Sequence, residues 1–309
     1  MPDVRPIRFM MEYPISSAGG GEWIDPANIA EFARVAESSG LDALALTDHP
    51  APSKKWLDHG GHETFDPFVG LAYVAGVTST LTLMTSLTVV PYRNPFLTVK
   101  SMTALDVLSG GRTIFVLGTG YLRSEFAALG VDFDDRNALF DEAVEVMHGV
   151  WGTDEFHYTG KHFEALGVTV APRPVQQPHP PLWLGGNAKV VQERVAAWGQ
   201  GWQPLLGGPT LSRTTRTPAI ATDEDLGRII GRIGDRMEER GRDRTSLDVA
   251  AGSLTPLPED ASAEQQIDAI GRLREIGVTW TSFRVPHGSF PAAVDGLRRY
   301  GEEVAAKVR

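Results

Sequence analysis

Short runs rich in Val, Ile, Leu and Thr alternate with helical patterns along the whole chain, and this alternation restricts the fold more than any other feature. A buried strand followed by a helix is the repeating unit of a parallel sheet, because parallel strands need a long crossover connection. The predicted strands lie in residues 7–13, 42–47, 81–90, 113–117, 181–184, 201–205, 247–251 and 278–284. Eight such units predict an α/β protein in which residues 1–309 form one domain, a single (β/α)8 TIM barrel.

Capping residues mark where the helices between these strands begin. Asp25-Pro26, Asp66-Pro67 and Asn94-Pro95 each combine an N-cap side chain with Pro at the first helical position. Two segments depart from the βα pattern. Residues 157–173 alternate aromatic and polar side chains, which predicts a β-hairpin inserted before strand five. Residues 207–223 are polar and lack periodicity, which predicts a long mobile loop after strand six.

Charge and cysteine content exclude several classes of function. The formal net charge is −10, so the surface offers no general attraction to nucleic acid or to an anionic membrane. The chain has no Cys, which excludes disulfides, thiolate metal sites and a cysteine nucleophile. No apolar run approaches the roughly 18 residues of a membrane span, and no apolar signal region follows the N-terminus. We therefore expect a cytoplasmic protein that acts on a small molecule.

The search for a function concentrates on the C-terminal ends of the strands, where barrel active sites lie. Asp48 and His49 follow the second predicted strand directly. An imidazole beside a carboxylate at this position is suited to proton transfer, so both residues are candidate catalytic residues. A structural alternative stays open for each, because a rim His also caps loops and Asp commonly caps turns.

Gly118, Thr119 and Gly120 follow the fourth predicted strand and are candidates for binding a cofactor. Two glycines around a Thr allow a flat ring system to lie close to the backbone. A tight turn into the next helix is the alternative. The segment is not a dinucleotide-binding turn, because Arg123 stands where that motif has its third glycine.

Gly185, Gly186, Asn187 and Ala188 follow the fifth predicted strand and are candidates for binding a phosphate. Paired glycines beside a helix N-terminus present backbone N–H groups to an anion, and Lys189 adds a positive charge. A Gly-Gly turn without a ligand is the alternative.

A metal site is not expected. His59, His62 and Glu63 have a spacing that suggests one, but metal-dependent barrel hydrolases draw ligands from several strand ends. The first strand ends in Glu12-Tyr13-Pro14 instead of a His pair. We expect these histidines on the solvated loop or at the entrance of the site.

Taken together, these strand ends resemble the luciferase-like monooxygenase family, and within it the oxidoreductases that depend on the deazaflavin coenzyme F420. The resemblance is close over about residues 7–205 and looser beyond them. Its most specific stretches are Asp48-His49 and residues 91–95, 105–112, 118–126 and 180–186. They occur in the family's order, and the predicted hairpin before strand five also matches the family.

The resemblance implies a role for each candidate residue. His49 would be the active-site histidine beside the reactive face of the ring. The peptide bond between Ser86 and Leu87 would be a non-proline cis bond that forms a bulge behind the ring, with Thr88 also at the cofactor. The segment 118–120 would flank the ring and the segment 185–188 would hold the phosphate.

Two departures from the family bear on the substrate. Sugar-phosphate dehydrogenases of this family place a catalytic Glu just after the Gly-x-Gly turn, where this chain has Tyr121. They also place a Trp four residues after the histidine, where this chain has Ser53. The resemblance therefore argues against glucose 6-phosphate as the substrate.

The preferred function is hydride transfer between coenzyme F420 and a small organic substrate, with His49 donating or accepting the accompanying proton. The alternatives are an FMN-dependent luciferase-like monooxygenase and a non-catalytic protein that binds a flavin or deazaflavin. A homodimer is a further expectation. Substrate identity is expected to depend on the loops at residues 19–22, 50–66 and 207–223.

Overall fold

The structure of the protein is a computed structural model, which describes residues 5–15, 21–255, 257–258, 261–282, 285–286 and 288–309. The strands are β1 Arg8–Glu12, β2 Ala43–Leu46, β3 Thr82–Val89, β4 Thr113–Gly118, β5 Phe156–Thr159, β6 Glu164–Val168, β7 Leu182–Gly185, β8 Gly201–Gln203, β9 Asp248–Val249 and β10 Trp280–Ser282. The helices are α1 Gly21–Ile24, α2 Pro26–Ser38, α3 Lys54–Leu57, α4 Pro67–Ala75, α5 Pro95–Ser109, α6 Arg123–Ala128, α7 Arg136–Gly152, α8 Lys189–Ala197, α9 Pro209–Thr215, α10 Asp223–Glu239, α11 Ala263–Glu275, α12 Phe290–Tyr300 and α13 Ala306–Val308. Short 3-10 turns occupy Val90–Tyr92 and Arg244–Ser246, and a π-helical segment occupies Gly301–Ala305.

Eight parallel strands of the described chain form the sheet of a (β/α)8 barrel, as the sequence predicts. Their order is β10, β1, β2, β3, β4, β7, β8, β9. A parallel bridge between Ala250 and Trp280 joins the residue after β9 to β10. The remaining two strands, β5 and β6, pair antiparallel and form the predicted hairpin before the fifth barrel strand, which is β7. By their internal contacts the residues group into two compact units, one made of residues 1–45, 80–82 and 182–309, and the other of residues 46–79 and 83–181.

The first unit is held by large apolar side chains of the sheet. Trp183, Trp202 and Trp280 are fully buried, and the rings of Trp183 and Trp280 meet edge to face at 5.6 Å. Its helix α2 begins as predicted, because the Asp25 carboxylate accepts hydrogen bonds from the N–H groups of Ala27 and Asn28.

The second unit contains β3, β4, the hairpin and helices α3 to α7. A buried carboxylate ties several of these elements together. Asp106, on α5, is fully buried and accepts hydrogen bonds from the Thr113 hydroxyl, from the N–H groups of Val175 and Gln176, and from the Gln176 amide. This single side chain links α5, the start of β4 and the segment that follows the hairpin.

One histidine between β5 and β6 contributes two of the contacts that hold the hairpin at α7. Nδ1 of His162 lies 2.5 Å from Glu142, and Nε2 lies 2.5 Å from Asp135. Burial disfavours the charged ring, but the hydrogen bonds and charges of Glu142 and Asp135 outweigh it and raise the pKa of His162.

Two segments predicted as loops contain short helices. Residues 207–223 contain helix α9, and the N–H of Gly207 donates to the Ile220 carbonyl at 2.9 Å, so this segment is a closed, structured loop. The loop at 48–66 contains the short helix α3, started by the Ser53 cap. Helix α6 follows the segment 118–120, for which the sequence analysis predicts no helix. Gly19, Gly20 and the end of the predicted strand at 283–284 lie outside the described residues.

We expect Asp106→Asn to lower the free energy of unfolding by about 2–4 kcal/mol, because an amide N–H2 would replace an oxygen that accepts two buried donors. Urea titration followed by circular dichroism measures the change. Asp268→Asn is the matched control, because Asp268 is exposed on α11 and should change stability by less than about 0.5 kcal/mol. Equal stabilities of the two variants would contradict the role of Asp106.

Candidate active site

His49 lies just beyond the C-terminal end of β2, with only a tenth of its side chain exposed. Its Nδ1 is 3.3 Å from Oε2 of Glu125, which is on α6. The sequence stretch 118–126 includes Glu125, but nothing in the pattern singles this residue out. It is the main site residue that sequence reasoning misses.

Glu125 is fully buried, and its carboxylate receives hydrogen bonds from two donors. Oε2 accepts from the Tyr92 hydroxyl at 2.8 Å, and Oε1 accepts from the Ala51 N–H at 3.3 Å. The third partner is Nδ1 of His49, and an ionised carboxylate accepts a hydrogen bond from this nitrogen in its N–H form. The neutral His49 ring therefore has its lone pair on Nε2.

The Tyr92 hydroxyl remains a donor at all ordinary pH values. Burial, and after it the hydrogen bond to Glu125 and the charges of Glu125 and Asp48, raise the pKa of Tyr92 far above its usual range. Its ring packs with Val89, Phe126 and Phe133 in an apolar cluster. The Tyr92 side chain, which donates to Glu125, is thus held in the apolar core of this unit.

Three aromatic side chains surround His49. The ring of Trp56 lies 4.5 Å from the imidazole, that of His62 5.0 Å and that of Tyr121 6.1 Å, all between centroids. We call His49, Trp56, His62 and Tyr121 the aromatic wall. The indole of Trp56 lies three residues beyond Ser53, in a loop whose polar composition gives no sign of an aromatic contact with His49.

His62 and Tyr121, two members of the aromatic wall, are neutral at neutral pH. Burial, and secondly the neighbouring His49, lower the pKa of His62 to about 4, against an opposing effect of Glu125. Nε2 of His62 also lies 2.9 Å from the Thr47 hydroxyl. Burial and the Glu125 charge raise the pKa of Tyr121 to about 12, although a hydrogen bond with the Trp56 side chain acts to lower it.

Asp48 is occupied by an ion pair. Its carboxylate receives two hydrogen bonds from Arg93, at 2.5 and 2.9 Å, and one from the Val89 N–H at 2.9 Å. Arg93 also reaches Asp66 at 3.0 Å. Burial disfavours the charged guanidinium, but the bonds and charges of the two carboxylates outweigh it and raise the pKa of Arg93. This arrangement fixes the segment beside His49.

The peptide bond between Ser86 and Leu87 is cis, as the resemblance implies. The register of β3 against β4 shifts between Thr85 and Thr88, so the cis bond lies within a bulge. The hydroxyl of Thr85 bridges this irregularity, donating to the Val116 carbonyl at 3.1 Å and accepting from the Val116 N–H at 3.0 Å. The buried hydroxyl of Thr88 has no hydrogen-bond partner in the described part of the chain.

Packing within the unit accounts for both glycines of the segment 118–120. A Cβ on Gly118 would lie 2.4 Å from the end of the Leu87 side chain, so a larger residue there would have to displace this side chain. Gly120 has φ +73°, and its Cβ would lie 2.6 Å from Val89. Thr119 between them is half-buried.

The segment 185–188 belongs to the other compact unit and is already hydrogen-bonded internally. The N–H groups of Gly186 and Asn187 donate to the Gln203 carbonyl and the Thr217 hydroxyl. The buried Asn187 side chain donates to the Leu205 and Pro218 carbonyls and accepts from the Leu205 N–H. Pro218 lies in the loop that contains α9. Ala188 takes the N-cap position of α8 without a side-chain cap.

The structure gives no support to a metal site. Among the described residues, no three His, Cys, Asp or Glu side chains are grouped so that they could hold an ion. His59 is exposed and its Nδ1 faces the Lys55 carbonyl at 2.7 Å, whereas His62 belongs to the aromatic wall. The described helices are also too short or too polar to cross a membrane.

Comparisons with known proteins agree with the fold and show the family. The model of the luciferase-like monooxygenase family matches residues 9–300. An F420-dependent glucose-6-phosphate dehydrogenase of Kineococcus radiotolerans is 31% identical over 223 residues, which cover 70% of this chain and 64% of that protein. Two solved structures share the fold. They are a monooxygenase, RslO1, from Streptomyces bottropensis (TM-score 0.79, 20% identity, 98% of this chain and 100% of that chain) and the F420-dependent tetrahydromethanopterin reductase of Methanopyrus kandleri (TM-score 0.74, 17% identity, 98% of this chain and 100% of that chain).

Proposed function

Because the chain belongs to the luciferase-like monooxygenase family, we propose that it is an oxidoreductase that uses coenzyme F420 and a small organic substrate. The observation that carries this proposal is the His49 imidazole, held at Nδ1 by a buried carboxylate and surrounded by aromatic rings. The F420-dependent relative at 31% identity supports the choice of cofactor. A bound deazaflavin supplies a two-electron hydride acceptor or donor.

His49 is the residue that moves a proton in this proposal. Its Nδ1–H stays on Glu125, so Nε2 accepts or donates the proton that accompanies the redox change. Asp48 has a positioning role, because its carboxylate is already bonded to Arg93 and the Val89 N–H.

The cofactor ring is proposed to bind beside Ser86, Leu87 and Thr88 and the segment 118–120. The buried Thr88 hydroxyl, which lacks a partner in the described residues, is a polar group that fits a ring rich in hydrogen-bonding atoms. The neutral aromatic wall also fits a flat conjugated system.

The cofactor phosphate is proposed to bind at Gly185, Gly186, Asn187 and Ala188. The N–H groups of Gly186 and Asn187 already donate within the protein. The phosphate is therefore proposed to accept from N–H groups in the first turn of α8, which follow the uncapped Ala188. Asn187 then acts by fixing the shape of this segment.

Glucose 6-phosphate is not the proposed substrate, although the relative from Kineococcus radiotolerans is named for it. Tyr121 and Ser53 replace the Glu and Trp that the sugar-phosphate dehydrogenases of the family have at these places.

The test titrates wild-type protein and His49→Ala with coenzyme F420 and with FMN in parallel, followed by fluorescence, and then measures turnover on a panel of small alcohols, aldehydes and ketones. We expect both proteins to bind F420 more tightly than FMN. His49→Ala should lose turnover by about 10²–10⁴-fold, because it removes the proton-transferring group and leaves the ring site intact.

Each other outcome replaces the proposal with a specific alternative. Tight binding of FMN without binding of F420 favours the FMN-dependent monooxygenase. Binding of F420 with no turnover in wild type favours a non-catalytic cofactor-binding protein. Turnover that is unaltered in His49→Ala assigns the histidine a purely structural role.

We also propose that the protein forms a homodimer through α4 and α5, which pack against each other. Val69 on α4 and Leu97 and Leu108 on α5 are exposed to 71%, 68% and 70%. Apolar side chains concentrated in this way on neighbouring helices are typical of a protein interface.

Sedimentation velocity tests the dimer. We expect wild type to sediment as a dimer and the double variant Leu97→Glu, Leu108→Glu as a folded monomer, because two buried charges per protomer would be unpaired. Leu166→Glu on β6 is the control, since Leu166 is even more exposed and lies outside this face. A monomeric wild type would refute the proposal.

A further inference from the structure

We propose that the Tyr121 hydroxyl binds an oxygen atom of the substrate, and that the substrate is an uncharged carbonyl compound or the corresponding alcohol. The inference rests on the proposed oxidoreductase function and adds the class of substrate. It assigns a role to a position where the sugar-phosphate dehydrogenases of the family carry a carboxylate.

The position of Tyr121 supports this role. Its ring meets that of His49 edge to face at 6.1 Å, so one small polar group can be close to both. Gly120, with its left-handed backbone, precedes it and directs the chain away from β4. The side chain is half-buried, and its hydroxyl oxygen is hydrogen-bonded to the Trp56 side chain, which acts as the donor and leaves the hydroxyl proton for an acceptor.

The ionisation of Tyr121 suits a donor. With a pKa raised to about 12, chiefly by burial, the phenol keeps its proton over the whole physiological range. A protonated phenol donates to a carbonyl or alcohol oxygen, whereas a carboxylate at this position would accept from a sugar hydroxyl.

The charges around the aromatic wall argue for an uncharged substrate. His62 is neutral above a pH of about 4, and Glu125 is fully buried behind His49. Three cations on the neighbouring elements are paired: Arg93 with Asp48 and Asp66, Lys54 with Asp58, and Arg123 with Asp134.

The experiment compares two ligands of nearly equal shape, cyclohexanone and methylenecyclohexane, which differ in whether an oxygen can accept a hydrogen bond. Their binding to protein saturated with oxidised F420 is measured calorimetrically, so that no turnover is involved. Wild type should prefer the ketone by about 5–10-fold, the usual value of one hydrogen bond. Tyr121→Phe should bind the two ligands equally while retaining its affinity for F420.

Tyr158→Phe is the matched control, because it also removes one tyrosine hydroxyl, which donates to Glu145 at the hairpin and away from the aromatic wall. It should behave as wild type. Equal binding of the two ligands by wild type, or a ketone preference that survives in Tyr121→Phe, overturns the proposal. A wild type that binds only FMN disproves the proposed cofactor, and the same comparison on FMN-saturated protein then decides the role of Tyr121 separately.

Discussion

The buried carboxylate of Glu125 is the interaction on which the candidate site depends. A carboxylate withdrawn from water is costly unless each oxygen receives hydrogen bonds, and removing one partner of such a group commonly costs several kcal/mol. Here the partners come from two separate segments: the loop after β2 provides the Ala51 N–H and Nδ1 of His49, and the segment after β3 provides the Tyr92 hydroxyl. The chain must bring all three together to bury the charge, so the geometry around His49 follows from the need to satisfy Glu125.

A second carboxylate performs a parallel task on the other side of the histidine. Asp48 takes up the Arg93 guanidinium and the Val89 N–H, which fixes the segment after β2 to the end of β3. The two adjacent residues thus differ in role. Asp48 is committed to holding the backbone, whereas His49 keeps Nε2 for chemistry. The neutral side chains of Trp56, His62 and Tyr121 then determine what kind of molecule can approach His49.

The sequence alone predicts the parts of this structure that depend on local patterns. The strand and helix alternation, the Asp25 cap and the strand-end position of His49 are all visible from neighbouring residues. The cis bond at Ser86-Leu87 is predictable only through family resemblance, because no local propensity favours it.

Contacts between distant residues account for what the sequence does not reveal. Glu125 and His49 are 76 residues apart, and Glu125 resembles any other carboxylate of a short helix until α6 is placed. In the sequence Gly118 indicates close approach of a ligand, but in the structure the Leu87 side chain occupies the space that a Cβ at this position would take. Helix α9 lacks an amphipathic pattern, and its loop is held by Asn187, a residue expected to face a phosphate.

The tautomer of His49 tests the central claim most directly. Nitrogen chemical shifts of histidine-labelled protein at pH 8 identify which ring nitrogen carries the proton, and comparison with His49→Ala assigns the signal. The account predicts a proton on Nδ1 in wild type and a mixture of tautomers in Glu125→Gln, whose amide can donate as well as accept. A neutral His49 protonated on Nε2 in wild type, or a tautomer unaffected by Glu125→Gln, would contradict it.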